Sequence, residues 1–208
     1  MLLSKPIKTV LEIGVGMGDF HRHLNLNISN VDYIGIEGSR ELAVSAQKRR
    51  ETIIESMIPP LPIKSGTVSL VYMSHVIEHF DSFQTVLHVL SEFHRILEPN
   101  GLVVIAFPDY NYYKNNFYEM DYSHQYPVTR YRAETLLQDT CFEILWSGFY
   151  QGHFKGIFRL SLSPLLAAWR VIFTILYQLT GKRKFFKGQI TFGRNVFIIA
   201  RKLKINHT

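Results

Sequence analysis

Residues Thr9-Val10-Leu11-Glu12-Ile13-Gly14-Val15-Gly16-Met17-Gly18-Asp19 join an apolar run, a carboxylate and alternating glycines near the start of the chain. An apolar run that breaks into glycines reads as a buried strand feeding a nucleotide-binding turn. Without a Cβ, Gly14, Gly16 and Gly18 let the main chain take open dihedrals and approach a ligand to van der Waals distance. The dinucleotide fingerprint needs a third glycine or alanine five residues after the first, to seat helix on strand, and Asp19 stands there. A nicotinamide or flavin site is therefore disfavoured.

At 208 residues and 47% hydrophobic, the chain suits one domain with a sizeable core. The single cysteine, Cys141, allows neither an intrachain disulfide nor a cysteine-rich metal site, which points to a reducing, cytoplasmic setting. The first strand follows so closely on Met1 that no cleavable leader is expected. Net charge is +6, yet residues 1–150 carry 12 Lys or Arg against 17 Asp or Glu, and residues 151–208 carry 11 Lys or Arg and no acid. A tail that holds all the excess positive charge points to an anionic partner, nucleic acid or a membrane surface, unless it pairs with the acidic body.

Beyond the turn, apolar spacing predicts a helix over 19–25, a strand Tyr33–Ile36 ending at Glu37, a helix over 41–50 and a strand Ile53–Glu55. Pro59-Pro60-Leu61-Pro62 interrupts regular structure before a strand Val68–Met73. Val86, Leu87, Leu90, Phe93, Ile96 and Leu97 recur at helical spacing, and Pro99-Asn100-Gly101 then turns the chain into the apolar strand Leu102–Phe107. A helix over 133–139, a strand Phe142–Trp146 and a last strand Asn195–Ala200 complete the pattern. Alternating strand and helix implies right-handed βαβ units, hence an α/β fold with a doubly wound, mostly parallel sheet. Residues 1–150 form the expected core, 151–190 a helical insertion that is basic and hydrophobic, and 191–208 the last core strand and tail.

The stretch from Glu12 to Gly18 resembles the Glu/Asp-x-Gly-x-Gly-x-Gly motif of class I S-adenosylmethionine-dependent methyltransferases. About residues 8–148 are similar to their type 11 and type 23 families. Pro60-Leu61-Pro62-Ile63, Gly66-Thr67-Val68-Ser69-Leu70-Val71, Ser74-His75-Val76-Ile77-Glu78-His79-Phe80 and Arg95-Ile96-Leu97-Glu98-Pro99-Asn100-Gly101 match family segments in order. The resemblance implies a seven-stranded Rossmann-like sheet with an antiparallel last strand, S-adenosylmethionine as cofactor and S-adenosylhomocysteine as product. It places Glu12, Gly14, Gly16 and Gly18 around the methionine part and Glu37 on the ribose hydroxyls, and counts Ser74 among the cofactor-binding residues. Ser56 and Met57 stand where the family usually has an adenine-binding aspartate, which leaves adenine to Ser56, Glu55 or backbone groups.

Methyl transfer from a sulfonium is an in-line displacement from an activated donor, so the protein mainly positions two reactants and excludes water. A hydroxyl or amine acceptor also needs a base, for which His124 is the first candidate and His79 the second. Tyr110, Tyr122 and Tyr126, with His75, would wall an acceptor pocket, or the aromatic loop 109–126 would pack as a lid on its own core. His75, Glu78 and His79 fall at i, i+3 and i+4 on one face of a helical turn, where with His124 they fit a metal site as an alternative. A similar arrangement, with glutamate at the position of His75, holds a divalent ion in small-RNA 2′-O-methyltransferases. In most family members the Glu-His pair shapes the pocket, so no metal is the main expectation.

Ser163-Pro164 predicts the cap and first turn of a helix running to Thr180 and ending at Gly181. Leu165, Trp169, Ile172, Leu176 and Leu179 share one face, flanked by Lys155, Arg159, Lys182, Arg183, Lys184 and Lys187. About 17 residues interrupted by Arg170 fall short of the roughly 20 needed to cross a bilayer. An in-plane interfacial helix, a lid or a dimer face are the three readings left. The sequence thus supports a cytoplasmic methyltransferase, with a membrane-peripheral position as the variant of that expectation, and a small-molecule, lipid- or glycan-linked acceptor, O-methylated for preference. A catalytically silent cofactor-fold protein that docks on a membrane or protein through the basic arm is the alternative. An RNA methyltransferase ranks third, because the basic residues flank an apolar helix instead of interleaving with exposed aromatics.

Overall fold

The computed structural model describes residues 6–49, 51–151, 157–182, 184 and 193–204. Strand β1 (Thr9–Ile13) lies at the centre, its Val10 and Leu11 fully buried, with β2 (Asp32–Glu37) and β4 (Val68–Ser74) parallel on either side. Strand β3 (Ile53–Glu55) extends the sheet beyond β2, and β5 (Leu97–Pro108) extends it beyond β4, both parallel. The far edge is built by β7 (Arg194–Lys202), antiparallel to β5, and by β6 (Phe142–Gln151), antiparallel to β7. The order β3-β2-β1-β4-β5-β7-β6 is the mixed, doubly wound sheet that the sequence pattern requires. Because the winding reverses between β1 and β4, a crevice opens at the carboxyl ends of β1, β2 and β4.

Helices cover both faces. After β1 comes α1 (Asp19–Asn27), then α2 (Arg40–Lys48) after β2, α3 (Phe83–Ile96) after β4, and α6 (Arg130–Asp139) before β6. Side-chain oxygens of Ser39, Ser82 and Thr129 accept from first-turn backbone N–H groups of α2, α3 and α6, satisfying donors that a helix start leaves open. Val86, Val89, Leu90, Phe93 and Ile96 of α3 are buried in the main core against Leu11, Ile13, Met73, Val103 and Ile105 of the sheet. Between β5 and α6 the aromatic loop folds into two short helices, α4 (Tyr110–Tyr113) and α5 (Asn116–Met120).

Three local expectations change. The turn at Pro99-Asn100-Gly101 is a bulge within β5: Val68 pairs with Leu97 and Leu70 with Leu102, so residues 98–101 loop out, with Asn100 at φ +66°. Strand β6 runs on to Gln151, because Ser147, Gly148, Phe149, Tyr150 and Gln151 all find partners along β7. Helix α7 (Ile157–Thr180) starts before Ser163-Pro164, which therefore lies inside it. There the proline ring removes one backbone donor without ending the apolar helical run that begins at Ile157. Gly181 closes α7 as the sequence predicts, at φ +63° with its N–H donating to Tyr177 O at 2.7 Å. Lys155, Arg183 and Lys187 lie outside the described residues.

Candidate active site

The glycine turn is held from both sides. Gly14 N–H donates to Ile36 O at 2.9 Å, which stitches the end of β1 to β2. At φ +75° its missing Cβ would stand 2.4 Å from Val76 Cγ2, so the position admits only glycine. Gly16, at φ +53°, has no protein atom within 4 Å of where a Cβ would be and faces open space. Its N–H donates to Glu37 Oε2 at 3.0 Å, while Ser39 N–H donates to Glu37 Oε1 at 2.9 Å. The buried carboxylate of Glu37 thus ties the glycine turn to the start of α2.

A cavity of about 440 Å³ lies against this turn, lined among others by Gly14, Gly16, Glu37, Gly38, Ser56, Met57, Ile58, Ser74, His75 and His79. One end is framed by Ser56, whose N–H donates to Glu37 O at 3.1 Å and whose hydroxyl donates to Met57 O at 2.9 Å. Gly38, Ile58, Val76 and Phe80 also line the cavity without having been singled out from sequence. Gly38 carried a usable sign, since it directly follows the strand-end carboxylate.

Glu12 and Gly18 stand elsewhere. Gly18 caps α1, and a Cβ there would meet the Arg49 guanidinium at 2.7 Å and Glu51 Oε1 at 2.8 Å, so its role is packing. Glu12 is buried behind the turn, where the Tyr33 hydroxyl donates to its Oε2 at 2.5 Å. Burial pushes the Glu12 carboxyl up to about 7, against the opposing effect of that hydrogen bond. The Tyr33 phenol is itself held well above its ordinary range by burial and by Glu12, and stays a donor.

At the other end of the cavity, His75 adopts φ +56°, its N–H donating to Ala106 O at 2.8 Å and its Nδ1 lying 3.3 Å from Glu78 Oε1. Glu78 is fully buried, and neither of its carboxylate oxygens accepts a hydrogen bond among the described residues. The Glu78 backbone carbonyl accepts from Gln125 N–H at 2.9 Å and Tyr126 N–H at 3.0 Å, which fastens this turn to the aromatic loop. His79 Nδ1 lies 3.0 Å from Ser123 Oγ, and Ser123 in turn donates its hydroxyl to Asp121 Oδ1 at 2.6 Å. That bond and the Ser123 N–H hold the Asp121 carboxyl below the usual carboxylate range. His124 Nδ1 lies 2.7 Å from Phe117 O, and the His79 and His124 rings meet edge to face at 5.0 Å.

The fold therefore brings His75, Glu78, His79 and His124 together, with His75 and His79 on the cavity wall and His124 behind them. The three tyrosines do not join them. Tyr122 is 99% exposed, Tyr126 is packed into the main core under Arg132, and the Tyr110 ring sits edge-on against Phe117. None of the three lines the cavity.

Residues 11–105 match the family model of the methyltransferase domain. Among solved structures, a chain of a complex that contains the Haloferax volcanii Trm112 methyltransferase activator superposes with TM-score 0.70 at 17% identity, covering 98% of this chain and 87% of that one. A SAM-dependent methyltransferase from Archaeoglobus fulgidus gives TM-score 0.66 at 22% identity, covering 95% and 87%. The fold is that of these S-adenosylmethionine-dependent methyltransferases, and the segment that matches the methyltransferase-domain model contains the glycine turn, Glu37 and the His75–His79 turn. In sequence, the chain is 26% identical over 143 residues to an uncharacterised 37.1 kDa protein in transposon TN4556 of Streptomyces fradiae, covering 65% of this chain. It spans 40% and 49% of the lengths of the curated relatives it matches.

Proposed function

We propose that this protein is an S-adenosylmethionine-dependent methyltransferase whose cofactor lies in the 440 Å³ cavity, with S-adenosylhomocysteine as the product. The observation that carries this reading is the pairing of an open backbone turn at Gly14 and Gly16 with a buried strand-end carboxylate, Glu37, on one cavity wall. The turn gives close main-chain approach, and the carboxylate has lone pairs left for vicinal hydroxyls after accepting from Gly16 and Ser39. Adenine would lie toward Ser56, Met57 and Ile58, and the methionine part toward Gly14, Gly16 and Ser74. Glu12 would act from behind, by fixing the strand that carries the turn.

The acceptor would enter from the His75 and His79 end. A hydroxyl acceptor is favoured there, since imidazole nitrogens stand ready to take its proton. Helix α7 supports a lipid- or glycan-linked acceptor at an anionic membrane surface: Leu165, Val171, Ile172 and Leu179 are more than half exposed, and residues 151–208 carry no acid. Among the described residues no helix is long and apolar enough to cross a membrane, so such contact would be in the plane of the interface.

Incubation with S-adenosylmethionine labelled in the methyl group, against fractionated lipid, glycan and small-molecule extracts, tests the reading. Label recovered in one fraction, with stoichiometric S-adenosylhomocysteine, supports it. Cofactor that binds and is never turned over, in any fraction, favours a catalytically silent docking protein.

A further inference from the structure

The cluster behind the acceptor end of the cavity has an excess of lone pairs. Glu78 is fully buried with two oxygens that accept no hydrogen bond among the described residues, and the nearest group to offset its charge, His75, lies at 3.3 Å and is half exposed. A buried carboxylate left this way is strongly disfavoured unless a proton or a cation compensates it. The two imidazoles beside it cannot donate toward it in their neutral forms. A carbonyl oxygen only accepts, so the 2.7 Å contact to Phe117 O pins the His124 proton on Nδ1. Ser123 Oγ spends its own proton on Asp121, so at 3.0 Å it accepts from His79 Nδ1 and pins that proton too. Both Nε2 atoms are left with bare lone pairs. One ligand atom from each of Glu78, His79 and His124 lies within 4.8 Å of the others, so two imidazoles and an unpartnered carboxylate converge on one point.

We propose that Glu78, His79 and His124 form a binding site for a first-row divalent transition cation at the acceptor end of the cavity. Two imidazoles and one carboxylate suit zinc, cobalt or iron better than magnesium or calcium, which prefer all-oxygen sets. The bonds from Nδ1 to a backbone carbonyl and to a serine held by an aspartate are the outer contacts that orient metal-binding histidines. Three protein ligands leave a coordination position for water or an acceptor oxygen. A cation there would lower the pKa of a hydroxyl acceptor bound to it. That use rests on the methyl-transfer reading, whereas the site itself rests only on the cluster.

Titration of the EDTA-treated, dialysed full chain with Co²⁺, followed by visible absorption, tests the site. One equivalent should saturate, Zn²⁺ should displace it and Mg²⁺ should not. Glu78→Gln, which keeps the side-chain shape, and His124→Ala should each weaken Co²⁺ at least tenfold, and Ser123→Ala about tenfold through His79. Should the variants fail to fold by circular dichroism, the wild type decides: Co²⁺ must shift the ring N–H resonances of two histidines. No saturable absorption, saturation untouched by the substitutions in folded variants, or unshifted ring protons overturns the site and leaves both imidazoles free as bases. S-adenosylmethionine binding, measured on the same samples, distinguishes the failures. Where Co²⁺ does not bind, persisting S-adenosylmethionine binding shows that only the cation site has failed, and absent S-adenosylmethionine binding removes the cofactor reading as well.

Discussion

Glu37 Oε2 accepts from the backbone N–H of Gly16 at 3.0 Å, so the acid at the tip of β2 and the turn after β1 form one rigid wall. Because the other carboxylate oxygen accepts from Ser39 N–H, the side chain is oriented before any ligand arrives. Glu37→Gln keeps the shape but loses the charge, and charge-assisted hydrogen bonds contribute about 1.5–3 kcal/mol. Affinity for S-adenosylhomocysteine should fall about 10- to 100-fold by calorimetry, with less than about a tenfold change for a ligand lacking the ribose.

Gly16 separates ligand approach from protein packing. A Cβ there meets no protein atom within 4 Å, so Gly16→Ala should cost only the strain of φ +53°, on the order of 1 kcal/mol in a urea melt. If the cofactor lies on this backbone, its affinity should nevertheless fall tenfold or more. Gly14→Ala is the contrasting case: its Cβ would lie 2.4 Å from Val76 Cγ2, and both stability and binding should suffer.

Two carboxylates give the stability curve opposite slopes. The folded Glu12 carboxyl holds its proton to about pH 7, whereas the unfolded one releases it near 4.5. The folded state binds more protons between those values, so this group makes stability fall as pH rises from about 4.5 to about 7. Glu92 does the reverse: hydrogen bonds from Arg95 bring it down to about 2, so stability present above 4.5 is lost as pH falls toward 2. Urea midpoints against pH should show Glu12→Gln flattening the neutral limb, with a gain on the order of 1–3 kcal/mol at pH 8. Glu92→Gln should flatten the acid limb.

Helix α7 should bind vesicles through its exposed apolar side chains. Flotation with phosphatidylserine vesicles should recover the protein, and high salt should release it. A triple substitution of Leu165, Ile172 and Leu179 by serine should abolish recovery while leaving cofactor affinity within about twofold, since that face lies away from the cavity-lining residues.

The sheet was readable in the chain because buried parallel strands are continuous apolar runs, and the glycine turn and Glu37 are local signals at strand ends. What could not be read depends on contacts distant in sequence or on which way a loop folds. Nothing in the sequence announces that Phe117 O fixes the His124 tautomer, or that Ser123 links Asp121 to His79. Tyr110, Tyr122 and Tyr126 look equivalent as letters, yet the folded loop leaves Tyr122 in solvent and Tyr126 in the core. The Ser163-Pro164 pair is a genuine helix-start signal, overridden where the apolar helical pattern upstream is continuous with it.

Calorimetric titration of the protein with S-adenosylmethionine probes the central claim most directly. The Gly14–Gly16 turn and Glu37 predict one saturable site with micromolar affinity, abolished by Gly16→Val without loss of the folded state. Absence of saturable heat in the folded wild-type protein, or binding that Gly16→Val leaves intact, would contradict it.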